Sequence, residues 1–247
     1  MTLFLTSSPC LGWAGDLNPA NGLIDELHAA LPSPRRCLLI TSAPDDTAMT
    51  DRMAWEMREI FDRAGLGFDH YEVLDRRTQP QAAAMLRRAN FIILCGGHVP
   101  TQNRFFRDLR LRQRIARFEG TILSLSAGSM NCADTVYASP ELEGESLDPQ
   151  YQRYIQGLGL TSVNILPHFQ TLHDTVLDGQ ALIDGIVAHD SHRAPVFCLD
   201  DGAFFLIRDG RHELRGHTCL MKDGKLKQIC QDGERKLLCK NHRLRKL

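Results

Sequence analysis

The chain has 247 residues, 43% of them hydrophobic and 24% charged, with a formal net charge of −1; this is the make-up of a globular protein of one large or two small domains. Such a charge balance gives no general attraction to nucleic acid or anionic lipid, and no apolar run reaches the roughly 18–20 residues of a membrane span. The opening MTLFLTSSPC has no basic leader region and reads as a strand rather than a signal peptide.

From the N-terminus, residues 3–8 (LFLTSS) form a short strand and residues 36–44 (RCLLITSAP) a second, whose apolar run 37–40 suits burial on both faces. Met49, Met53, Met57, Ile60 and Ala64 recur at helical spacing, and Gly65 supplies the stop. Residues 68–75 (FDHYEVLD) are a third strand. Residues 79–89 (QPQAAAMLRRA) are a helix with Pro80 in its first turn. Residues 90–97 (NFIILCGG) are a fourth buried strand ending in two glycines, and residues 101–120 are one helix closed by Gly120. That helix carries Arg104, Arg107, Arg110, Arg112, Arg114 and Arg117, read as a solvated face between core residues such as Leu109 and Phe118. Residues 121–126 (TILSLS) are the fifth strand.

Strands and helices alternating over short links predict an α/β fold, a three-layer, mostly parallel doubly wound sheet. After residue 158 the pattern changes. Residues 158–169 (LGLTSVNILPHF) predict a strand leading to a Pro-His pair, and residues 178–189 a modest helix. From residue 194 the chain is strand-rich, with turns at 200–202, 209–210 and 223–224; KDGK at 222–225 predicts a tight hairpin. The basic tail 234–247 reads as a solvated terminus. With no repeat, low-complexity segment or linker, residues 1–247 read as a single domain, the tail from about 231 being peripheral. Eight cysteines are scattered without a CxxC pair, and Cys37, Cys95 and Cys198 fall inside apolar strands, so the expectation is a reduced, cytosolic protein.

The segment TILSLSAGS carries the chemistry. A buried strand runs straight into the corner Ser124-Leu125-Ser126-Ala127-Gly128. This is close to the G-x-S-x-G elbow, in which a serine on a sharp strand-to-helix turn projects above the sheet and bulky neighbours would clash. The following helix would aim free N–H groups at a developing oxyanion. A base is offered by His168, at a predicted strand end in ILPHF, where open α/β sheets line their ligand crevice. Asp200 and Asp201 in LDDG end another buried strand and could orient the imidazole. The same corner could instead serve packing alone, or hold an anion.

Together, GG after a buried strand, SLSAGS, PHF and LDDG resemble the serine peptidase family of dipeptidase E (aspartyl dipeptidase), with cyanophycinase as a more distant relation. The resemblance spans roughly residues 1–215 and implies a class I glutamine-amidotransferase-like fold. It implies Ser126 as nucleophile and His168 as general base. It gives the acid as Asp201 or, about fifteen residues after the serine, as Glu141; Asp201 is the expected one, because it ends a strand that should lie near the strand carrying His168, whereas Glu141 sits in an acidic loop read as solvated. The implied oxyanion donors are the N–H groups of Gly97 and Ala127. The family's Asn-Thr after the glycines is replaced here by His98-Val99-Pro100-Thr101-Gln102. The implied substrate is a small peptide, with no cofactor, metal, nucleic acid or membrane partner; the number of subunits is not readable from the chain.

Other readings remain beside this one. An α/β-hydrolase esterase runs Ser, Asp, His, whereas here the order is Ser126, His168, Asp201. A cysteine enzyme would need Cys132, six residues beyond the elbow. A flavodoxin-like binding module would hold an anion at the Ser-Ala-Gly turn and give His168 no role. His189, Asp190 and His192, with His173 nearby, match no ligand spacing and read as a polar loop. A buried substrate carboxylate calls for a cationic partner. The resemblance implies an arginine shortly after the histidine, but residues 169–200 hold only Arg193, far along the segment, the alternative being that Arg193 or an arginine of the 104–117 helix reaches the pocket. The expectation is therefore a preference that is not strictly aspartyl.

Overall fold

The computed structural model describes residues 1–12, 15–239 and 244–246. Strands β1 (Thr2–Thr6), β2 (Arg36–Ile40), β3 (His70–Leu74), β4 (Phe91–Leu94) and β5 (Thr121–Leu125) lie parallel in the order β1-β5-β4-β2-β3. Helices α1 (Leu23–Ala30), α2 (Thr47–Arg63) and α3 (Ala82–Arg88) make the crossovers among the first four, and α4 (Val99–Asp108) and α5 (Leu111–Ile115) lead into β5. The pleat sends successive side chains to opposite faces. Leu3, Leu5, Leu38, Ile40, Ile92 and Leu94 pack with α3, α4 and α5, while Phe4, Leu39, Phe91 and Ile93 pack with α1 and α2. All ten are fully buried, each stabilising the fold by about 1.5–3 kcal/mol through burial.

Beyond β5 come the one-turn helix α6 (Ala127–Met130) and a small hairpin, β6 (Thr135–Tyr137) with β7 (Tyr154–Gln156). Then follow β8 (Ile165–Leu166), α7 (Phe169–Leu172), the strand pair β9 (Val176–Leu177) and β10 (Gln180–Ala181), a π-helical turn at Leu182–Val187, and α8 (Ala188–Asp190). The strand-rich remainder comprises β11 (Val196–Leu199), β12 (Phe204–Arg208), β13 (Arg211–Arg215), β14 (Thr218–Lys222), β15 (Lys225–Cys230), β16 (Arg235–Leu238) and β17 (Leu244–Lys246). Four of these extend the central sheet antiparallel from β1, in the order β12, β13, β16, β17, giving nine strands in all. The α/β sheet is thus mixed: a parallel half built by the alternating part of the chain and an antiparallel half built by its C-terminal part.

A second sheet, β15-β14-β11-β8, packs on the first. Ile165, Phe197 and Leu199 share a core cluster with Phe205, Ile207 and Leu214 of the antiparallel half. β8 and β11 run parallel, so the segments leaving both emerge at the same end. In the hairpin at 222–225, Asp223 (φ 51°) and Gly224 (φ 71°) both take the left-handed conformation of a type I′ turn.

Four expectations need correction. The predicted helix 101–120 is two helices, broken at Arg110 (φ 50°); the break lets Leu109, Leu111 and Ile115 all reach the core. The predicted strand 158–169 is mostly irregular, with pairing only at Ile165–Leu166. The segment 178–189 starts as strand before its apolar residues Leu182, Ile183, Ile186 and Val187 form the π-helical turn. The basic tail is partly structured, since its described residues include β16 and, at the edge of the central sheet, β17. A charged edge strand discourages pairing with other chains.

Arg215 ties the antiparallel half to α1. Its side chain is 5% exposed and meets Glu26 at 2.5 Å and Glu213 at 2.6 Å. Arg215→Ala leaves both carboxylates facing a buried void, with only the more distant Arg208 and the exposed Arg235 as counter-charges among the described residues. Breaking a buried ion pair from one side costs about 3 kcal/mol. The expected result is a lower urea midpoint at unchanged slope; an unchanged midpoint would show that the cluster is dispensable.

Candidate active site

The C-terminal ends of β1, β2, β4 and β5 converge on one spot. Ser126 leaves β5 at φ 48°, ψ −114°, a conformation rare for a residue with a side chain. Its N–H is held there by the carbonyl oxygens of Thr6 (3.1 Å) and Ser7 (2.9 Å) at the end of β1. The small residues around it have specific reasons. A Cβ on Gly128 would stand 2.4 Å from the Leu94 carbonyl oxygen, and one on Gly96 3.1 Å from the Ser126 Cβ. Ser124, in place of the usual elbow glycine, is buried and donates to the Phe4 carbonyl at 2.7 Å, with Ser129 Oγ at 2.9 Å. The helix after the elbow is a single turn, and Asn131, which follows it, joins a buried amide network with Gln102 and Asn103.

His168 follows Pro167 in the left-handed conformation (φ 56°) at the end of β8. Its Nε2 lies 3.0 Å from Ser126 Oγ. Its Nδ1 lies 2.8 Å from Asp201 Oδ1. Asp201 sits in the link between β11 of one sheet and β12 of the other. Gln170 Nε2 donates to Asp201 Oδ2 at 2.7 Å, and Asp201 N–H returns a bond to Gln170 Oε1 at 3.0 Å. Ser7 Oγ donates to Asp201 Oδ1 at 2.7 Å. Partial burial pushes the carboxyl pKa up, but the hydrogen bonds from His168, Ser7 and Gln170 outweigh it and hold Asp201 below the usual carboxylate value. An ionised Asp201 accepts from Nδ1–H, which leaves Nε2 unprotonated and able to take a proton from Ser126.

Glu141 lies elsewhere. It is exposed as a residue, but its carboxyl end is enclosed against the Val99 N–H in the first turn of α4, and this enclosure, helped by the charge of Glu145, raises its pKa to about 7 against the pull of that N–H. The rim residue His98 bonds Thr101 Oγ1 and Glu145 Oε1, both at 2.8 Å, and Glu145 accepts the Glu141 N–H at 2.8 Å. The substituted rim is therefore the first turn of α4 clasped to the 141–145 loop. Ala127 follows Ser126 and Gly96 packs against its Cβ; the N–H groups of Gly97 and Ala127 donate no hydrogen bond among the described residues. A Cβ on Gly97 would stand 2.5 Å from Ser42 Oγ, so only glycine fits there.

The remaining candidates are engaged in other work. Asp200 pairs with His217 at 2.6 Å, and burial raises its pKa. Arg193 stacks its guanidinium 4.1 Å over the Tyr154 ring. His173 packs on Phe169 at 4.3 Å. Asp190 accepts from Tyr137 (2.9 Å) and Arg153 (2.7 Å). Cys132 is fully buried, and its thiol pKa is pushed up to about 12, the opposite of what a nucleophilic thiolate requires. Among the described residues no group of three or more His, Cys, Asp or Glu side chains could hold a metal ion, and no helix is long and apolar enough to cross a membrane. Sequence reasoning missed Ser7 and Gln170. Gln170 had a local signal, two residues beyond the Pro-His pair; Ser7 had only its place at the end of the first strand.

A serine on a strained strand-end corner, free backbone N–H groups beside it and a histidine bonded to a carboxylate define the class of α/β hydrolytic enzymes with a serine elbow. The particular family comes from the sequence: the model of peptidase family S51 matches residues 3–215, and the chain belongs to that family. It is a serine-type hydrolase of peptide bonds. Two solved structures share its fold. A peptidase from an acI-B1 Actinobacterium superposes with a TM-score of 0.62 at 20% identity, covering 95% of each chain. A putative peptidase E protein from Listeria monocytogenes EGD-e superposes with a TM-score of 0.58 at 15% identity, covering 92% of this chain and 98% of its own. No curated protein sequence matches the chain.

Proposed function

We infer that the protein hydrolyses short peptides through a triad of Ser126, His168 and Asp201. The observation that carries this is the continuous contact from Ser126 Oγ to His168 Nε2 (3.0 Å) and from His168 Nδ1 to Asp201 Oδ1 (2.8 Å). Ser126 Oγ attacks the scissile carbonyl carbon as its proton passes to Nε2. The carbonyl oxygen becomes an oxyanion, met by the Gly97 and Ala127 N–H groups. The imidazolium, stabilised by Asp201, then protonates the leaving amine, and water enters by the same route to release the acyl group from Ser126.

The substrate preference is not strictly aspartyl. A substrate carboxylate held in the site needs a cationic partner, and Arg193, the lone candidate between residues 169 and 200, already stacks on Tyr154. Kinetics on Asp-Leu, Ala-Leu and Gly-Leu should give kcat/KM values within about tenfold of one another, a spread under ~1.4 kcal/mol. A strong preference for Asp-Leu that disappears in Arg193→Ala would overturn this. A protein that hydrolyses no dipeptide and leaves a fluorophosphonate probe unreacted would overturn the triad itself.

A further inference from the structure

Ser7 follows β1 directly and is fully buried. It touches all three members of the proposed triad. Its carbonyl oxygen accepts the Ser126 N–H at 2.9 Å. Its Oγ accepts the His168 backbone N–H at 2.7 Å and donates to Asp201 Oδ1 at 2.7 Å. The sense of these last two bonds is fixed, because an amide N–H only donates and an ionised carboxylate only accepts. The single hydroxyl proton is therefore committed to Asp201.

The three triad residues come from separate places: the elbow on the central sheet, the end of β8, and the link between sheets. No strand pairing joins β8 or β11 to β1 or β5. The segment after β1 does the joining. Besides the Ser7 contacts, Ser7 N–H reaches the Ala203 carbonyl at 3.3 Å, and Gly202 N–H reaches the Ser8 carbonyl at 3.1 Å. We propose that Ser7 is the positioning residue of the site, which fixes the base and the acid relative to the nucleophile and moderates the basicity of His168 through Asp201. This rests on the triad reading given above.

The electrostatic part has a definite sign. Asp201 Oδ1 takes two donors, the His168 ring and the Ser7 hydroxyl. Without the hydroxyl, more negative charge stays on Oδ1 and the imidazolium is held more firmly. His168 then keeps its proton to higher pH, and the acidic limb of activity moves upward. The geometric part adds to this, because the His168 N–H loses its acceptor. Other titratable groups around the triad are Asp200 with His217, His173 against Phe169, and Glu141, Glu145 and His98 at the first turn of α4. Ser7→Ala removes none of them.

The test compares wild type and Ser7→Ala for kcat, KM and the pH profile of kcat/KM on a hydrolysed dipeptide. Fluorophosphonate labelling of Ser126 and the NMR resonance of the His168 Nδ1 proton serve as independent readouts. The expected result is a fall in kcat of about 10- to 100-fold with KM changed by less than about threefold. The loss should deepen toward acid pH, and the Nδ1 resonance should shift. If Ser7→Ala does not fold, Ser7→Cys carries the same expectation, since a thiol fills the space but donates weakly. An equal loss at every pH with an unmoved resonance would make Ser7 merely structural and overturn the proposal, as would an unchanged kcat. A wild-type protein that neither hydrolyses dipeptides nor takes the probe would instead remove the triad reading.

Discussion

Ser126→Ala should lower kcat/KM for peptide hydrolysis by about 10⁵- to 10⁶-fold, the loss seen when the nucleophile of a triad is removed. The fold should be untouched. Among the described residues the Ser126 hydroxyl hydrogen-bonds only the His168 ring, while the strained backbone is held by its N–H bonds to Thr6 and Ser7. Both survive the substitution, and no core cavity opens. On the proposed mechanism, residual hydrolysis would come from the Gly97 and Ala127 N–H groups acting on water attack. The measurement is kcat/KM alongside the thermal midpoint and fluorophosphonate labelling. Near wild-type hydrolysis in a folded Ser126→Ala protein would remove Ser126 from the mechanism.

The parallel half of the sheet and the elbow were legible because both rest on local pattern. The buried runs at 37–40 and 91–94 are continuous apolar strands, and an elbow needs small residues at fixed spacing. Pro167-His168 and Asp200-Asp201-Gly202 were found as strand ends, which is where a sheet places its crevice. What stayed hidden depends on long-range contact. Ser7 is an ordinary residue in a polar run, and its role exists only once β8 and β11 have been packed against β1. Arg110 took the left-handed conformation to satisfy the burial of its neighbours Leu109 and Leu111, a tertiary demand that overrides helix propensity. The same limit explains the segment 158–169. Its apolar residues are buried by neighbouring elements rather than by pairing along a full strand, and periodicity cannot tell these apart. Between Asp201 and Glu141 the sequence favoured Asp201 only through its place at a strand end, since both are acids in turns. The structure puts only Asp201 against the His168 ring.

Asp201→Asn should lower kcat/KM by about 10³- to 10⁴-fold, whereas Glu141→Gln should stay within about threefold of wild type. The reason lies in how the Asp201 carboxylate is surrounded. Oδ1 accepts from the His168 ring and Ser7, and Oδ2 accepts from Gln170. An amide in its place has one oxygen and one NH₂ group, so one of these donors must face another donor. With the NH₂ toward the imidazole, Nδ1 becomes the acceptor and the ring proton moves to Nε2, where it blocks transfer from Ser126. With the NH₂ toward Gln170, the Gln170 amide must flip, which breaks its bond from the Asp201 N–H. Either arrangement also removes the negative charge that stabilises the imidazolium. Glu141 offers no comparable contact. Its own pKa, raised to about 7, can put a limb in the pH profile, so the two variants are compared by pH profile. An acidic limb that survives in Glu141→Gln does not arise from Glu141. Loss of that limb in Glu141→Gln, with Asp201→Asn still active, would transfer the orienting role to Glu141.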